Sequence, residues 1–286
     1  MSEEKRNCER KPSWLKINLP KGVNYLKVKG ILEERGLHTI CSSGKCPNMG
    51  ECWNNGTATF MILGDICTRS CKFCATRTGK PLPIDKDEPQ KVAESIQMLG
   101  LKHAVITSVD RDDLADGGAQ HWADTIRAIK TMNPQVTIEV LVPDFQGNTS
   151  LMQIVMDAKP DIISHNLETI KRLTPQVRSA AQYDRSLKML AYIATSGIPA
   201  KSGIMVGLGE TQDEVLECMD DLRKHNCSIM TIGQYLQPTP AHLKVEEYVH
   251  PDIFEKYRLA GVEKGFTYIE SKPLVRSSYH AEKHVE

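Results

Sequence analysis

Six of the nine cysteines crowd between Cys41 and Cys74, and they fall into two triplets. Cys41, Cys46 and Cys52 are spaced CxxxxCxxxxxC, and Cys67, Cys71 and Cys74 are spaced CxxxCxxC within CTRSCKFC. Clustered thiols can form disulfides, exchange electrons or bind metal. An odd count behind a start, MSEEKRN, that has no apolar region argues against a disulfide framework. A structural zinc site wants four ligands, usually as two close pairs, and neither triplet supplies two pairs. The Cys71–Cys74 pair alone resembles a redox dithiol, but that leaves Cys67 without a role. A 4Fe–4S cubane asks for one soft thiolate per iron. Three cysteines on a short loop serve three irons and leave the fourth open. The spacing therefore favours two iron–sulfur clusters, with zinc or plain thiols as the alternatives. Cys218 and Cys227 read as small buried hydrophobes and Cys8 as a tail thiol.

The rest of the chain must hold those loops. Residues 1–57 show no clear period and read as a loop-rich extension with one short helix near Val23–Arg35. After them, short β-branched runs at Thr59–Leu63, Ala104–Thr107, Thr137–Val142, Asp161–Ser164, Lys201–Val206 and Ser228–Tyr235 suit buried parallel strands. Amphipathic segments intervene at Pro89–Leu99, His121–Met132, Ser150–Ala158, Tyr183–Thr195, Thr211–His225 and Asp252–Lys264. Thr211 and Glu214 form a T-x-x-E capping box. Alternating strands and helices predict an α/β fold with a parallel sheet, closed as a partial (β/α)6 TIM-like barrel, with a doubly wound sheet as the rival. The expected units are an N-terminal extension over 1–57, the barrel over 58–265, and a C-terminal strand and loop over 266–286. The Cys67–Cys74 loop follows the first strand, at the end of the sheet where such folds bind ligands.

Composition excludes other classes. Thirty-six basic residues balance thirty-six acidic ones over 286 residues, so nucleic acid is a poor partner. The longest uncharged stretch, Asn226–Leu243, contains Gly, Gln and Pro and is no membrane span. The expectation is a cytoplasmic protein with neither nucleic acid nor membrane as partner. DGG at 116–118 lacks the Lys–Ser/Thr ending of a phosphate loop, and no HExxH occurs.

CxxxCxxC after the first strand, with Phe73 before the last cysteine, resembles the radical S-adenosylmethionine (SAM) enzymes. CSSGKCPNMGECW (41–53), GDICTRSCKFC (64–74), TSVDRDDLADGGA (107–119), HNLET (165–169), KSGIMVGLGE (201–210), QYLQPT (234–239) and VRSSYHA (275–281) together resemble the lipoyl synthases within that superfamily. KPSWLK (11–16) fits the same family, so the resemblance covers nearly the whole chain. Ala200 and Lys272 stand where that family would have Thr and Gly.

The resemblance implies a partial barrel with N- and C-terminal extensions and a sulfur-inserting transferase. One 4Fe–4S cluster on Cys67, Cys71 and Cys74 would bind and cleave SAM to a 5′-deoxyadenosyl radical. A second on Cys41, Cys46, Cys52 and Ser278 would be the sulfur donor, and two SAM would be consumed per lipoyl group. Sulfur would enter at C6 and C8 of an octanoyl-lysine on a carrier domain, either a 2-oxoacid dehydrogenase E2 or a glycine cleavage H protein. A low-potential donor such as ferredoxin or flavodoxin and an iron–sulfur carrier would be further partners. SAM contacts implied by the family are Thr107, Ser108, Asp110, Asn166, Glu168, Arg178, Gly207, Gly209 and Glu210. Arg276 would guard the second cluster or hold a substrate group. A serine oxygen is a harder ligand than thiolate and suits iron less well, as a sacrificial cluster would require. Without the resemblance, GLGE is equally a tight turn, HNLET a polar loop, RDD at 111–113 a charged turn, and the serine pair a cap. Sulfur insertion into a biotin precursor or tRNA, and a non-catalytic iron–sulfur carrier, are the competing readings.

Overall fold

The computed structural model describes residues 11–17, 22–54, 58–279 and 281. Cys8 lies outside them. Among the described residues the chain forms a 3-10 turn (Ser13–Leu15), α1 (Val23–Glu34), β1 (His38–Thr39), α2 (Ile40–Ser43), α3 (Met49–Asn54) and β2 (Thr59–Ile62). A small ribbon of β3 (Ile66–Cys67) and β4 (Arg77–Thr78) follows. Helices and strands then alternate: α4 (Glu88–Leu99), β5 (His103–Ser108), α5 (Ala119–Met132), β6 (Thr137–Leu141), α6 (Thr149–Asp157) and β7 (Ile162–Ser164). The series continues with α7 (Thr174–Val177), α8 (Tyr183–Ala194), β8 (Ala200–Val206), α9 (Gln212–Lys224), β9 (Ile229–Gln234), α10 (Pro251–Glu263) and β10 (Tyr268–Ser271).

One eight-stranded sheet runs β1-β2-β5-β6-β7-β8-β9-β10. Every pairing is parallel except β1 with β2, which is antiparallel. The spatial order follows the sequence without reversing, whereas a doubly wound sheet reverses at its switch point. The arrangement is therefore the expected partial barrel and not the doubly wound rival. Val92, Ala93 and Ile96 of α4, Val215, Met219 and Leu222 of α9, and the matching faces of α5 and α8 are buried against the sheet. The capping box at Thr211 and Glu214 is formed.

One feature differs from the expectation. Among its described residues the N-terminal segment holds more than one short helix, because β1 extends the sheet and α2 and α3 carry Cys41 and Cys52. These elements have two to six residues, too few to print a period on the sequence. The C-terminal strand expected within 266–286 is β10, which adds at the far edge beside β9. Inside the barrel, Lys201 Nζ meets Glu139 Oε1 at 2.7 Å with both side chains at 0% exposure. Ser164 Oγ donates to the same carboxylate oxygen at 3.2 Å. Among the described residues, no helix is long and apolar enough to cross a membrane.

Candidate active site

The second cysteine triplet sits on a loop braced from three sides. Thr68 N donates to Asp110 O after β5 (3.1 Å), Lys72 N to Val177 O at the end of α7 (3.0 Å), and Ser70 N to Ser179 Oγ (3.1 Å). His242, in the loop after β9, places Nε2 2.9 Å from the Cys74 carbonyl oxygen, and Leu243 N donates to Lys72 O at 3.2 Å. The Cys67 sulfur accepts from Arg69 N and Asp110 N, each at 3.4 Å. Burial pushes the Cys67 thiol up to about 12, with the Asp110 carboxylate adding to the effect.

Arg69, inside CTRSC, is itself caged. Its guanidinium meets Asp112 at 2.7 Å, Asp144 at 2.8 Å and Asp110 at 3.3 Å, and Arg185 binds the far side of Asp144 at 2.7 Å. Burial opposes the Asp144 charge, yet Arg69, His165 and Arg185 hold that carboxyl at about 2. Asp110 moves the other way: burial raises it, and Asp112 and Asp144 offset part of the pull of Arg69. The cage fixes the loop after β5 against the cysteine loop.

The three cysteines open onto a cavity of ≈ 820 Å³ lined by the ends of β5 to β9, the N-terminal segment and the tail. Thr107, Ser108, Asp110, Asn166, Glu168 and Arg178 all line it, as does Arg276. Glu168 takes the left-handed conformation (φ 67°), uncommon for a residue with a side chain. Two bonds to β8 enforce it, Glu168 N to Gly203 O at 3.0 Å and Met205 N to Glu168 O at 2.9 Å. Burial raises its carboxyl, while Arg178 and the Asn166 amide favour the charged form. The Thr107 hydroxyl donates to Leu141 O at 3.3 Å, and Arg178 Nη1 donates to Ser186 Oγ at 3.1 Å and Leu167 O at 3.3 Å.

Gly207, Gly209 and Glu210 are not among the cavity-lining residues. The Glu210 carboxylate accepts from the N–H of Gly207 and, at 2.9 Å, from that of Leu208. A Cβ on Gly207 would stand 2.1 Å from Gln234 Nε2 and 2.4 Å from Glu247 O. These glycines make a tight turn with close backbone approach, and the cavity wall comes from Gly203, Ile204 and Met205 in the same motif.

The first triplet lies at the other end of β2. Cys41 is buried on α2, Cys46 N donates to Cys41 O at 3.0 Å, and Cys52 N on α3 donates to Asn48 O at 2.9 Å. The tail crosses directly over it. Asn48 Nδ2 donates to Leu274 O at 2.7 Å, Thr59 Oγ1 to Ser278 Oγ at 2.9 Å, and Tyr279 Oη to Glu51 Oε1 at 3.3 Å. The backbone passes β9 at a point where a Cβ on Gly233 would stand 2.0 Å from Val275 O. Ser278 faces Thr59, while Ser277 lines the cavity. Burial pushes the Cys41 and Cys46 thiols up, Cys46 to about 11, and Arg276 nearby pulls Cys46 down. From Thr59 to Ile62, β2 is about 10 Å long. The two triplets therefore lie toward opposite ends of a short strand; Cys67, Cys71 and Cys74 line the cavity, and Ile40, Gly44, Lys45 and Pro47, neighbours of the first triplet, reach it.

This chain matches the model of the Radical SAM superfamily over residues 61–222 and that of the N-terminal domain of lipoyl synthase over residues 1–46. It is 64% identical to the lipoyl synthase of Phocaeicola vulgatus over 280 residues, 98% of this chain and 99% of that one. The chain belongs to the lipoyl synthase family. The lipoyl synthase of Treponema denticola is 60% identical over 97% of this chain and 96% of its own. Among solved structures, Streptococcus suis SuiB bound to S-adenosylmethionine superposes with a TM-score of 0.60 at 12% identity, covering 79% of this chain and 54% of that one. Methylornithine synthase (PylB) gives 0.56 at 10% identity, covering 87% and 82%. These two share the fold.

The donor set fits what a lipoyl synthase holds. Among the described residues no three His, Cys, Asp or Glu side chains converge on one ion position. A cubane does not ask for convergence, because each thiolate reaches its own iron. Thiols kept protonated by burial become ligands when a cation draws the proton off. The buried Asn166 Oδ1, beside Glu168, suits a ligand bearing hydroxyl donors.

Proposed function

We infer that this chain is a radical SAM lipoyl synthase, inserting sulfur at C6 and C8 of an octanoyl-lysine on a lipoyl carrier protein. One observation supports the residue assignment: Cys67, Cys71 and Cys74 line the cavity together with the polar side chains, while Ser278 bonds Thr59 at the start of β2, on the side of Cys41. When bound, two 4Fe–4S clusters and SAM supply an electron, an oxidant for unactivated C–H bonds, and sulfur. In this reading Cys67, Cys71 and Cys74 would hold the cluster that binds and cleaves SAM. Cys41, Cys46, Cys52 and Ser278 hold the auxiliary cluster.

The side chains around the cavity then divide the work. Asn166 Oδ1 and Glu168 accept from the ribose hydroxyls, Asp110 accepts from the amino group, and Arg178 supplies positive charge for the carboxylate. Thr107 and Ser108 shape the wall at the end of β5. Gly207, Gly209 and Glu210 act indirectly, by fixing the turn that follows the Gly203–Met205 wall. Ile40, Leu141, Val142, Ile204, Met205 and Val275 give the cavity apolar walls suited to an octanoyl chain. Arg276 stands beside Cys46 at the cavity edge, where its charge holds an auxiliary thiolate or a substrate group. The units 1–57, 58–265 and 266–286 become cluster-bearing extension, barrel and closing tail.

The carrier is an E2 or H protein, electrons come from a ferredoxin or flavodoxin, and an iron–sulfur carrier rebuilds the spent cluster. Thiolates that must stay reduced support a cytoplasmic setting. The test is anaerobic iron and sulfide analysis, followed by mass spectrometry of an octanoylated carrier after reduction with SAM. Two clusters per chain and a product carrying two added sulfurs are expected. SAM cleavage without any sulfur gain by the carrier would count against the reading.

A further inference from the structure

Thr59 opens β2 and is 4% exposed, a place that Val or Ile would fill as well on packing grounds. Its hydroxyl instead donates to Ser278 Oγ at 2.9 Å. Its backbone N–H and hydroxyl also stand within hydrogen-bond reach of the Cys41 sulfur. One residue thus touches two of the four proposed auxiliary ligands. Asn48, Gly233 and Tyr279 fix where the tail backbone runs, but among the described residues it is Thr59 that bonds the serine oxygen.

We propose that Thr59 is the positioning residue for Ser278, holding its oxygen beside Cys41 whenever that oxygen is off iron. This rests on the reading of Ser278 as an auxiliary-cluster ligand. If the auxiliary cluster is consumed as sulfur donor, Ser278 would be without iron until the cluster is rebuilt. A half-buried hydroxyl released from iron is unfavourable without a partner. Thr59 supplies that partner within the site, so Ser278 stays in reach of the next iron. A threonine hydroxyl has one proton to donate and two lone pairs, so it serves a serine oxygen in either protonation state.

The experiment compares parent, Thr59→Val and Thr59→Ser full-length protein, each reconstituted anaerobically with 57Fe. Mössbauer spectroscopy reads the oxygen-ligated iron of the auxiliary cluster, and EDTA reads how fast iron leaves it. Thr59→Val should lose most of the oxygen-ligated signal and release iron about tenfold faster, the scale of one hydrogen bond. Thr59→Ser should restore both to within about twofold, since it keeps the hydroxyl. In a Ser278→Ala background Thr59→Val should add nothing. Parent-like signal and release in Thr59→Val overturn the proposal, as does Thr59→Ser behaving like Thr59→Val. If Thr59→Val takes up no auxiliary cluster, Thr59→Ser decides: recovery supports the proposal and failure overturns it. A parent whose auxiliary cluster has no oxygen-ligated iron overturns the Ser278 reading itself, before any Thr59 variant is compared.

Discussion

His242 Nε2 lies 2.9 Å from the carbonyl oxygen of Cys74, across 168 positions of sequence. Thr239 Oγ1 meets the other ring nitrogen at 2.8 Å, and Gln237 Nε2 donates to the His242 carbonyl at 2.9 Å. The loop after β9 is thus a brace for the cysteine loop. His242→Ala should remove that brace and leave the Cys74 carbonyl without its partner. The loss of one hydrogen bond, about 1 kcal/mol, should weaken retention of the SAM-cleaving cluster several-fold. Iron release measured in variants that lack the first triplet would show it; unchanged release would mean that the loop is held without His242.

The two triplets should separate cleanly by function. Replacing Cys67, Cys71 and Cys74 with Ala should halve the iron content and abolish reductive cleavage of SAM. Replacing Cys41, Cys46 and Cys52 should also halve the iron but leave 5′-deoxyadenosine formation, while sulfur insertion stops. Lipoyl product from the second variant would reverse the assignment. Ser278→Cys should assemble a cluster that releases sulfur poorly, because thiolate binds iron more firmly than a serine oxygen.

Asn166→Ala and Glu168→Gln should raise the dissociation constant for SAM by about tenfold each, in proportion to one hydrogen bond per change, or more where charge is lost. Equilibrium binding on the reconstituted protein checks this. Glu168→Gln keeps the backbone bonds to β8, so a loss of folding rather than of affinity would point to a structural role.

A side chain at Gly233 must displace the tail. A methyl there would meet Val275 O at 2.0 Å, and backbone cannot move aside as a side-chain tip can. Gly233→Ala should therefore speed amide exchange over the tail around Leu274–Tyr279 and lower auxiliary-cluster occupancy. Normal tail protection in that variant would show that the backbone gives way elsewhere.

Glu139→Ala would strand the buried Lys201 ammonium. The expected cost is about 3–5 kcal/mol, seen as a large fall in Tm. Changing both residues to Met should recover most of it, since an apolar pair of similar volume removes the uncompensated charge.

Much of this architecture can be read from local pattern. The six core strands stand out because each is a short apolar run, and the CxxxCxxC loop because its ligands are neighbours. What local pattern hides is long-range partnership. Arg69 and Asp144 look like ordinary surface charges until β6 brings them to 2.8 Å, and His242 and Cys74 are far apart in the chain. Glycines in the GLGE turn signal close approach, and at Gly207 the approaching groups are the Gln234 side chain and the Glu247 carbonyl, both too distant in sequence to be foreseen. α2 and α3 are invisible as helices because four and six residues are too few to repeat a face.

The hydrogen bond between Thr59 and Ser278 joins positions 219 apart, with nearly the whole sheet made in between. A ribosome adds about 5–20 residues each second, so the first cysteines wait on the order of ten seconds or more for the tail. In that interval Cys41, Cys46 and Cys52 exist without the strand of chain that covers them. If these cysteines and Ser278 hold the auxiliary cluster as proposed, iron loaded on the nascent protein would meet an unfinished site, and delivery would be expected after translation, on the finished fold.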